Sequence, residues 1–284
     1  MNVLAVLFGL FVSLALVPGD ARCSGACEAR YGEGRRPLTL ATGSPGELGL
    51  LSALTNVFAP REDANLCWIK AGTGEALDLL RNARVDLIMV HAPAAEKKAV
   101  ADGWAAQRTL IGSNEFFIVG PSEDPAKVAG AKDAADAFAR IAKARSRIFS
   151  RGDDSGTHRK EMEIWRKAGI TPAGDWYVVT KTFMLATLKR ANDEKGYFMT
   201  DSSTWIAAKR ELPGLTVLFR GDPFIVNTYH VLRRPGGGPE LELAGRFIDF
   251  IASPEGQRIV REFGRERYGE GLYNDAEYAR RYVR

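Results

Sequence analysis

Ser150-Arg151-Gly152-Asp153-Asp154-Ser155-Gly156-Thr157-His158-Arg159-Lys160-Glu161 follows a short apolar run, Arg147-Ile148-Phe149, and leads into a helical pattern that reaches Lys167. The order is strand, polar glycine-broken loop, helix. Unpaired amides at a helix start, with the positive end of the helix dipole behind them, form a seat for an anion. Ser155 and Thr157 add hydroxyls and Arg151 adds a planar fork of donors. The competing reading is a well-capped helix beside an exposed arginine, and the loop alone does not separate the two.

The same unit recurs on both sides of this stretch. Pro37–Thr42 reads as a strand, Gly43-Ser44-Pro45-Gly46 as a turn, and Glu47–Phe58 as a helix with Leu48, Leu51, Leu54 and Phe58 on one face. Leu66–Lys70 is a strand, Gly72-Thr73-Gly74 a turn, and Ala76–Asn82 a helix. Val85–Val90 is the near-continuous apolar run of a buried parallel strand, ended by His91-Ala92-Pro93. Glu115–Gly120 is another strand, with Arg108–Ile111 as a connector before it. This βαβαβαβ rhythm argues an α/β lobe. Ser122-Glu123-Asp124-Pro125 breaks it, and a second α/β unit of about a hundred residues follows. Gly221-Asp222-Pro223 breaks the chain again. Phe224–Leu232 is a strand long enough to pass between lobes, and two amphipathic helices and a tail with Tyr268, Tyr273 and Tyr278 follow. Residues 28–36 read as a loose leader. The expectation is an α/β protein of two lobes, each a mostly parallel sheet flanked by helices and joined by two crossovers. Residues 37–120 and 223–284 would form lobe I, and residues 121–222 lobe II.

Composition narrows the function. The 284 residues carry a net charge of +4, with 45% hydrophobic and 26% charged residues. Basic and acidic residues are interspersed, and no basic-aromatic stripe marks a nucleic-acid surface. Val3–Val17 is an apolar run too short to span a bilayer comfortably, with small residues after it. It reads as a signal peptide over residues 1–26, cleaved near 21–26, which places the mature protein in the periplasm or outside the cell. In such an oxidising compartment Cys67 could pair with Cys23 or with Cys27. Gly25-Ala26 before Cys27 would suit lipidation, but Ser24 stands where an apolar residue is usual.

Gly72-Thr73-Gly74 is not a nucleotide loop, because no Gly-Lys-Ser/Thr follows. Asp153, Ser155 and His158 suggest a catalytic triad. They lie within six residues on one helix start, with no orienting carboxylate from another element and no Gly-x-Ser-x-Gly elbow. No catalytic residues, cofactor or metal site are expected, and the three histidines, His91, His158 and His230, are scattered. Asp153 and Asp154 would repel an anion, so they are expected to turn away and pair with Arg159, Lys160 or backbone amides.

Taken in order, the pieces resemble the tungstate/molybdate-type solute-binding proteins of ABC importers, within the two-lobed periplasmic binding protein superfamily. The resemblance rests on Ala71-Gly72-Thr73-Gly74-Glu75-Ala76-Leu77, Asp86-Leu87-Ile88-Met89-Val90-His91-Ala92-Pro93 and the Arg151–His158 run, with Trp176-Tyr177, Thr200-Asp201 and Asn227-Thr228-Tyr229. It covers about 230 residues. It implies the periplasmic-binding-protein fold, a small oxyanion held between the lobes, a membrane permease as partner, and a monomer. It carries Arg151 and Thr157 over as ligand contacts, with Ser155 beside them. Thr42 and Ser44 come from the first loop, which is shorter here and poorer in hydroxyls than the family's. Thr73, His91, Lys181 and Thr182 are further candidates to line the cleft. The family's glycine-rich segment after Trp-Tyr is replaced by Lys181-Thr182-Phe183-Met184-Leu185, which lets backbone amides approach a ligand less easily. A stand-alone module that senses or scavenges another small anion or carboxylate is the alternative, and a periplasmic hydrolase a remote one.

Overall fold

The computed structural model describes residues 27–283, so the apolar run, its cleavage region and Cys23 lie outside the described residues. In chain order the first group of elements is β1 (Ala29–Tyr31), β2 (Arg36–Thr42), α1 (Ser44–Glu47), α2 (Leu50–Glu62), β3 (Ala64–Lys70), α3 (Thr73–Arg81), β4 (Leu87–Val90), α4 (Pro93–Ala101) and β5 (Ala106–Gly120). The second is α5 (Ala134–Ala144), β6 (Ile148–Ser150), α6 (Gly156–Lys167), β7 (Tyr177–Val179), α7 (Met184–Asp193), β8 (Tyr197–Asp201), α8 (Ser202–Ala208) and β9 (Thr216–Phe219). The chain then returns through β10 (Val226–Arg233), α9 (Pro239–Ala252), α10 (Pro254–Glu262), α11 (Arg265–Tyr268), β11 (Asn274–Asp275) and α12 (Ala276–Ala279).

The strands run β1-β3-β2-β4-β10-β5-β8-β6-β7, with β9 and β11 also paired to β5. Each lobe has a parallel centre, β3-β2-β4 in one and β8-β6-β7 in the other; antiparallel β1 and β10 flank the first on both sides, and antiparallel β5 flanks the second at β8. In lobe I the period of two along a strand feeds two cores. Leu87 and Met89 enter the core shared with α2 and α9, and Ile88 and Val90 enter the core shared with α3 and α4. That explains why β4 is apolar without interruption. The second lobe has one core around Phe138, Phe149, Trp165 and Phe198.

The structure departs from the sequence reading at several places. Residues 28–36 are not loose. β1 pairs antiparallel with β3, and a Cys27–Cys67 disulfide fastens it there, so Cys27 has no thiol left for a lipid. The Arg108–Ile111 connector is part of β5, a strand of 15 residues. Its polar positions hid it, because Ser113 and Asn114 are buried yet lie in the β10 register. β5 is also the strand that passes between lobes. It pairs with β10 and β11 in lobe I and with β8 and β9 in lobe II. The change of lobe falls inside β5, since Phe116–Val119 already pack in the second core. β10 stays in lobe I between β4 and β5. Of the tail tyrosines, Tyr273 is buried, whereas Tyr278 is exposed and lies against Arg281 and Tyr282.

Candidate anion seat

β6 ends at Ser150, and the next residues turn sharply through Gly152 and Asp154, both with positive φ. Gly152 must stay unsubstituted for a second reason: a Cβ there would lie 2.3 Å from Val179 Cγ1. The turn presents Arg151, which is 4% exposed. Its guanidinium donates to Asp153 Oδ2 from Nε at 3.0 Å and from Nη2 at 2.6 Å. Three of its five donor hydrogens remain for another acceptor. Ser155 caps α6, accepting from the His158 amide at 3.3 Å. Its amide donates to Asp153 Oδ1. Gly156 and Thr157 are the first residues of the helix, where amides have no intrahelical acceptor. The Thr157 hydroxyl is buried and has no hydrogen-bond partner. A buried hydroxyl left this way costs about 1–3 kcal/mol unless something pairs with it.

Lobe I brings a second helix start to the same place. α3 begins after Gly72 with no side-chain cap, and Thr73 and Gly74 are buried in its first turn. The two helix starts face each other closely. A Cβ at Gly72 would lie 3.4 Å from Ser155 Cβ and 4.0 Å from Arg151 Nη2. A Cβ at Gly156 would lie 2.4 Å from His91 Cε1, and one at Gly74 would lie 2.5 Å from Asp154 Oδ2. Glycine at these positions is what lets the lobes close.

Behind the seat a polar chain crosses the hinge. His91 Nδ1 meets Asn227 Oδ1 at 2.9 Å, Asn227 Nδ2 donates to Asn114 Oδ1 at 2.8 Å, and Asn114 Nδ2 donates to Asp201 Oδ1 and to Ser203 Oγ. The His91 imidazole is enclosed although the residue as a whole is partly accessible. Burial, then the Arg151 charge, push its pKa down to about 4, against the Asn227 bond and the Glu96 and Asp153 charges. It is therefore neutral at pH 7. Burial raises Asp153, but Arg151 and the Ser155 bonds outweigh it and hold the carboxyl below its ordinary value. Under the loop, Glu161 accepts from Ser150 Oγ, Trp165 Nε1 and the Tyr177 hydroxyl. Burial still pushes its pKa up to about 7.

The other expected site residues fall in different places. The Thr42 hydroxyl donates to the Met89 carbonyl at 2.8 Å, so its proton is committed and it cannot donate to an anion. Ser44 is half-buried at the start of the four-residue α1. Lys181 Nζ donates to the Gly152 carbonyl, which makes it a brace of the loop. Thr182 is exposed and bonds to Thr187 within lobe II. Asp154 pairs with Arg159, as expected, but it does not turn away: its carboxylate abuts Gly74 of lobe I. Asp153 pairs with Arg151 itself, a partner the sequence did not suggest. His158 Nδ1 accepts from the Asp154 amide, so its ring holds the loop and does not face the Ser155 hydroxyl as a triad would need. The backbone of Gly72–Gly74, Phe183 and the Asn114–Asn227 pair were missed. The Gly-Thr-Gly turn and the Phe in place of glycine were the only local signals for them.

A sequence profile of the PBP superfamily domain matches residues 28–255. The chain belongs to the PBP superfamily. Among its relatives, the tungstate-binding protein TupA of Peptoclostridium acidaminophilum is 33% identical over 270 residues, 93% of this chain and 94% of that protein. Among solved structures, the tungstate ABC transporter protein from Geobacter sulfurreducens is 35% identical with a TM-score of 0.73, covering 81% of this chain and all of that one. The tungstate-binding protein TupA from Desulfovibrio alaskensis is 35% identical with a TM-score of 0.70, over 84% of this chain and 98% of that one. The names of these proteins speak of binding and transport of tungstate.

Proposed function

We propose that this chain is an exported solute-binding protein. It captures a small oxyanion of the tungstate or molybdate kind between its lobes and hands it to an ABC importer in the membrane. The observation that carries this is the meeting of two helix starts, α3 and α6, across the lobes with Arg151 at the seam. The donors assigned to the anion are Arg151, the Thr157 hydroxyl and the first-turn amides of both helices, with the Ser155 hydroxyl shared with Asp153. The relatives named for tungstate favour that ligand class. The Cys27–Cys67 disulfide suits an oxidising compartment such as the periplasm.

Magnitudes explain why two lobes are needed. Micromolar binding requires about 8 kcal/mol. One helix end supplies roughly 0.3–2 kcal/mol and one charge-assisted hydrogen bond roughly 1.5–3. A single loop falls short once immobilising the ligand is counted. Two loops that close around a dry anion reach the figure, and the anion shifts the open–closed equilibrium because only the closed form offers both halves. The importer would then read the closed form.

A calorimetric screen with tungstate, molybdate, sulfate and phosphate, on protein freed of bound anion, tests this. One or more of these oxyanions should bind at micromolar concentration or tighter. Arg151→Ala should weaken that binding by at least about a hundredfold. No heat with any oxyanion would refute the reading.

A further inference from the structure

Phe183 occupies the N-cap of α7, where Ser, Thr, Asp or Asn would ordinarily satisfy an orphan amide, and it provides no cap. Nor does it serve packing: it is half-buried and part of none of the three cores. Folding therefore does not account for an aromatic here. Its neighbours do. Lys70 Nζ, at the end of β3 in lobe I, lies 4.5 Å from the centre of its ring. Arg151 Cζ, in lobe II, lies 5.3 Å from the same centre. Both are within the roughly 6 Å at which a cation is drawn to an aromatic face. Each cation also keeps a carboxylate partner, Glu47 for Lys70 and Asp153 for Arg151, so each is held from two sides.

We propose that Phe183 is a cross-lobe latch of the anion seat: its ring joins Lys70 of lobe I to the Arg151 loop of lobe II when the lobes close. Only the Lys70 contact crosses the cleft, so the latch exists only in the closed form. An interaction confined to the closed state slows release more than it speeds capture, and it also holds the closed fraction of the ligand-free protein. The ring also shields the Arg151 guanidinium from water, which strengthens that guanidinium's attraction for an anion. The ligand the latch retards is the oxyanion of the reading above, on which this part of the inference rests.

The test is a double-mutant cycle on tungstate dissociation, followed by stopped-flow tryptophan fluorescence. Phe183→Leu, which keeps bulk and removes the ring, should raise the dissociation rate about threefold to thirtyfold with little change in the association rate. Lys70→Met should act comparably, and the double variant should be no faster than the faster single one. Phe183→Trp and Lys70→Arg, which preserve the contact, should stay near wild type. Additive effects of Phe183→Leu and Lys70→Met, or an unchanged dissociation rate in Phe183→Leu, would overturn the latch. Small-angle scattering of the ligand-free proteins separates this outcome from failure of the oxyanion reading. If the wild type binds no oxyanion, that reading falls alone, and the latch stands provided both single variants show a larger radius of gyration than wild type. Unchanged radii in that case overturn the latch as well.

Discussion

The two helix starts that meet at the seat are built by opposite means. α6 begins in a loop dense with side-chain chemistry: Arg151 and Asp153 pair, Asp154 pairs with Arg159, Ser155 caps, and Glu161 accepts three hydrogen bonds beneath. α3 begins after an uncapped glycine and offers mainly backbone. Lobe II thus supplies charge and lobe I supplies amides on a frame made rigid by two cores and a disulfide. The difference teaches that the glycines of one half and the charges of the other serve a single fit. Charge can sit at the seam only because Gly72, Gly74 and Gly156 let the lobes approach.

The sharpest way to break that fit is Gly156→Ala. The new Cβ would meet the His91 ring at 2.4 Å, on a helix that otherwise tolerates alanine. Overpacking of this kind costs about 1–3 kcal/mol, or roughly five- to a hundredfold in anion affinity if it falls on closure. Titration calorimetry should show that loss with little change in the far-ultraviolet circular dichroism. Wild-type affinity in Gly156→Ala would mean that the lobes do not approach as described.

A smaller effect tests the support beneath the charged half. Glu161 titrates near 7 in the folded protein, against an ordinary value of 4.5. Between those values the native protein keeps a proton that the unfolded chain has lost, so stability falls as pH rises through the window. His91 works the other way. Its folded value of about 4 lies below the ordinary 6.5, so stability is lost as pH falls from 6.5 toward 4. The two slopes oppose each other between about 4.5 and 6.5. Glu161→Gln, neutral throughout, should remove the slope that opposes His91, visible as a melting temperature that rises more steeply with pH across that range than in wild type. The expected difference from wild type is on the order of 1–2 kcal/mol over the window. Parallel pH profiles for the two proteins would contradict the raised carboxyl.

The smallest change is Thr157→Val, and its two effects have opposite signs. Removing a buried hydroxyl without a partner should stabilise the ligand-free protein by up to about 1 kcal/mol. The same change should weaken oxyanion binding about three- to tenfold. Thermal melts with and without tungstate read both. Destabilisation of the ligand-free protein would show that the hydroxyl already has a partner.

The sequence was legible where the chemistry is contiguous. The Arg151–His158 run announced a helix start, a cap and a cation together, and the alternation of apolar runs with helical patterns announced an α/β architecture. It was illegible where donors are backbone atoms or where partners are distant. Gly72-Thr73-Gly74 could be read only as a turn that is not a nucleotide loop, because amides leave no side-chain mark. Thr42 looked like a ligand contact, but its proton goes to Met89, 47 residues away on a neighbouring parallel strand. β5 was cut in two by its polar residues, whose burial depends on β10, a strand more than a hundred residues later. Asp153 was expected to avoid the site because repulsion of a ligand was weighed without its attraction to Arg151.

The central claim is that one oxyanion is held by both helix starts at once. Crystals grown with tungstate, measured at the tungsten absorption edge, test it most directly through the anomalous difference map. The account predicts a single strong peak within hydrogen-bonding reach of the Arg151 guanidinium, the Thr157 hydroxyl and the first-turn amides of α3. A peak that contacts only one lobe, or one at a surface site away from Arg151 with the seat unchanged, would contradict it.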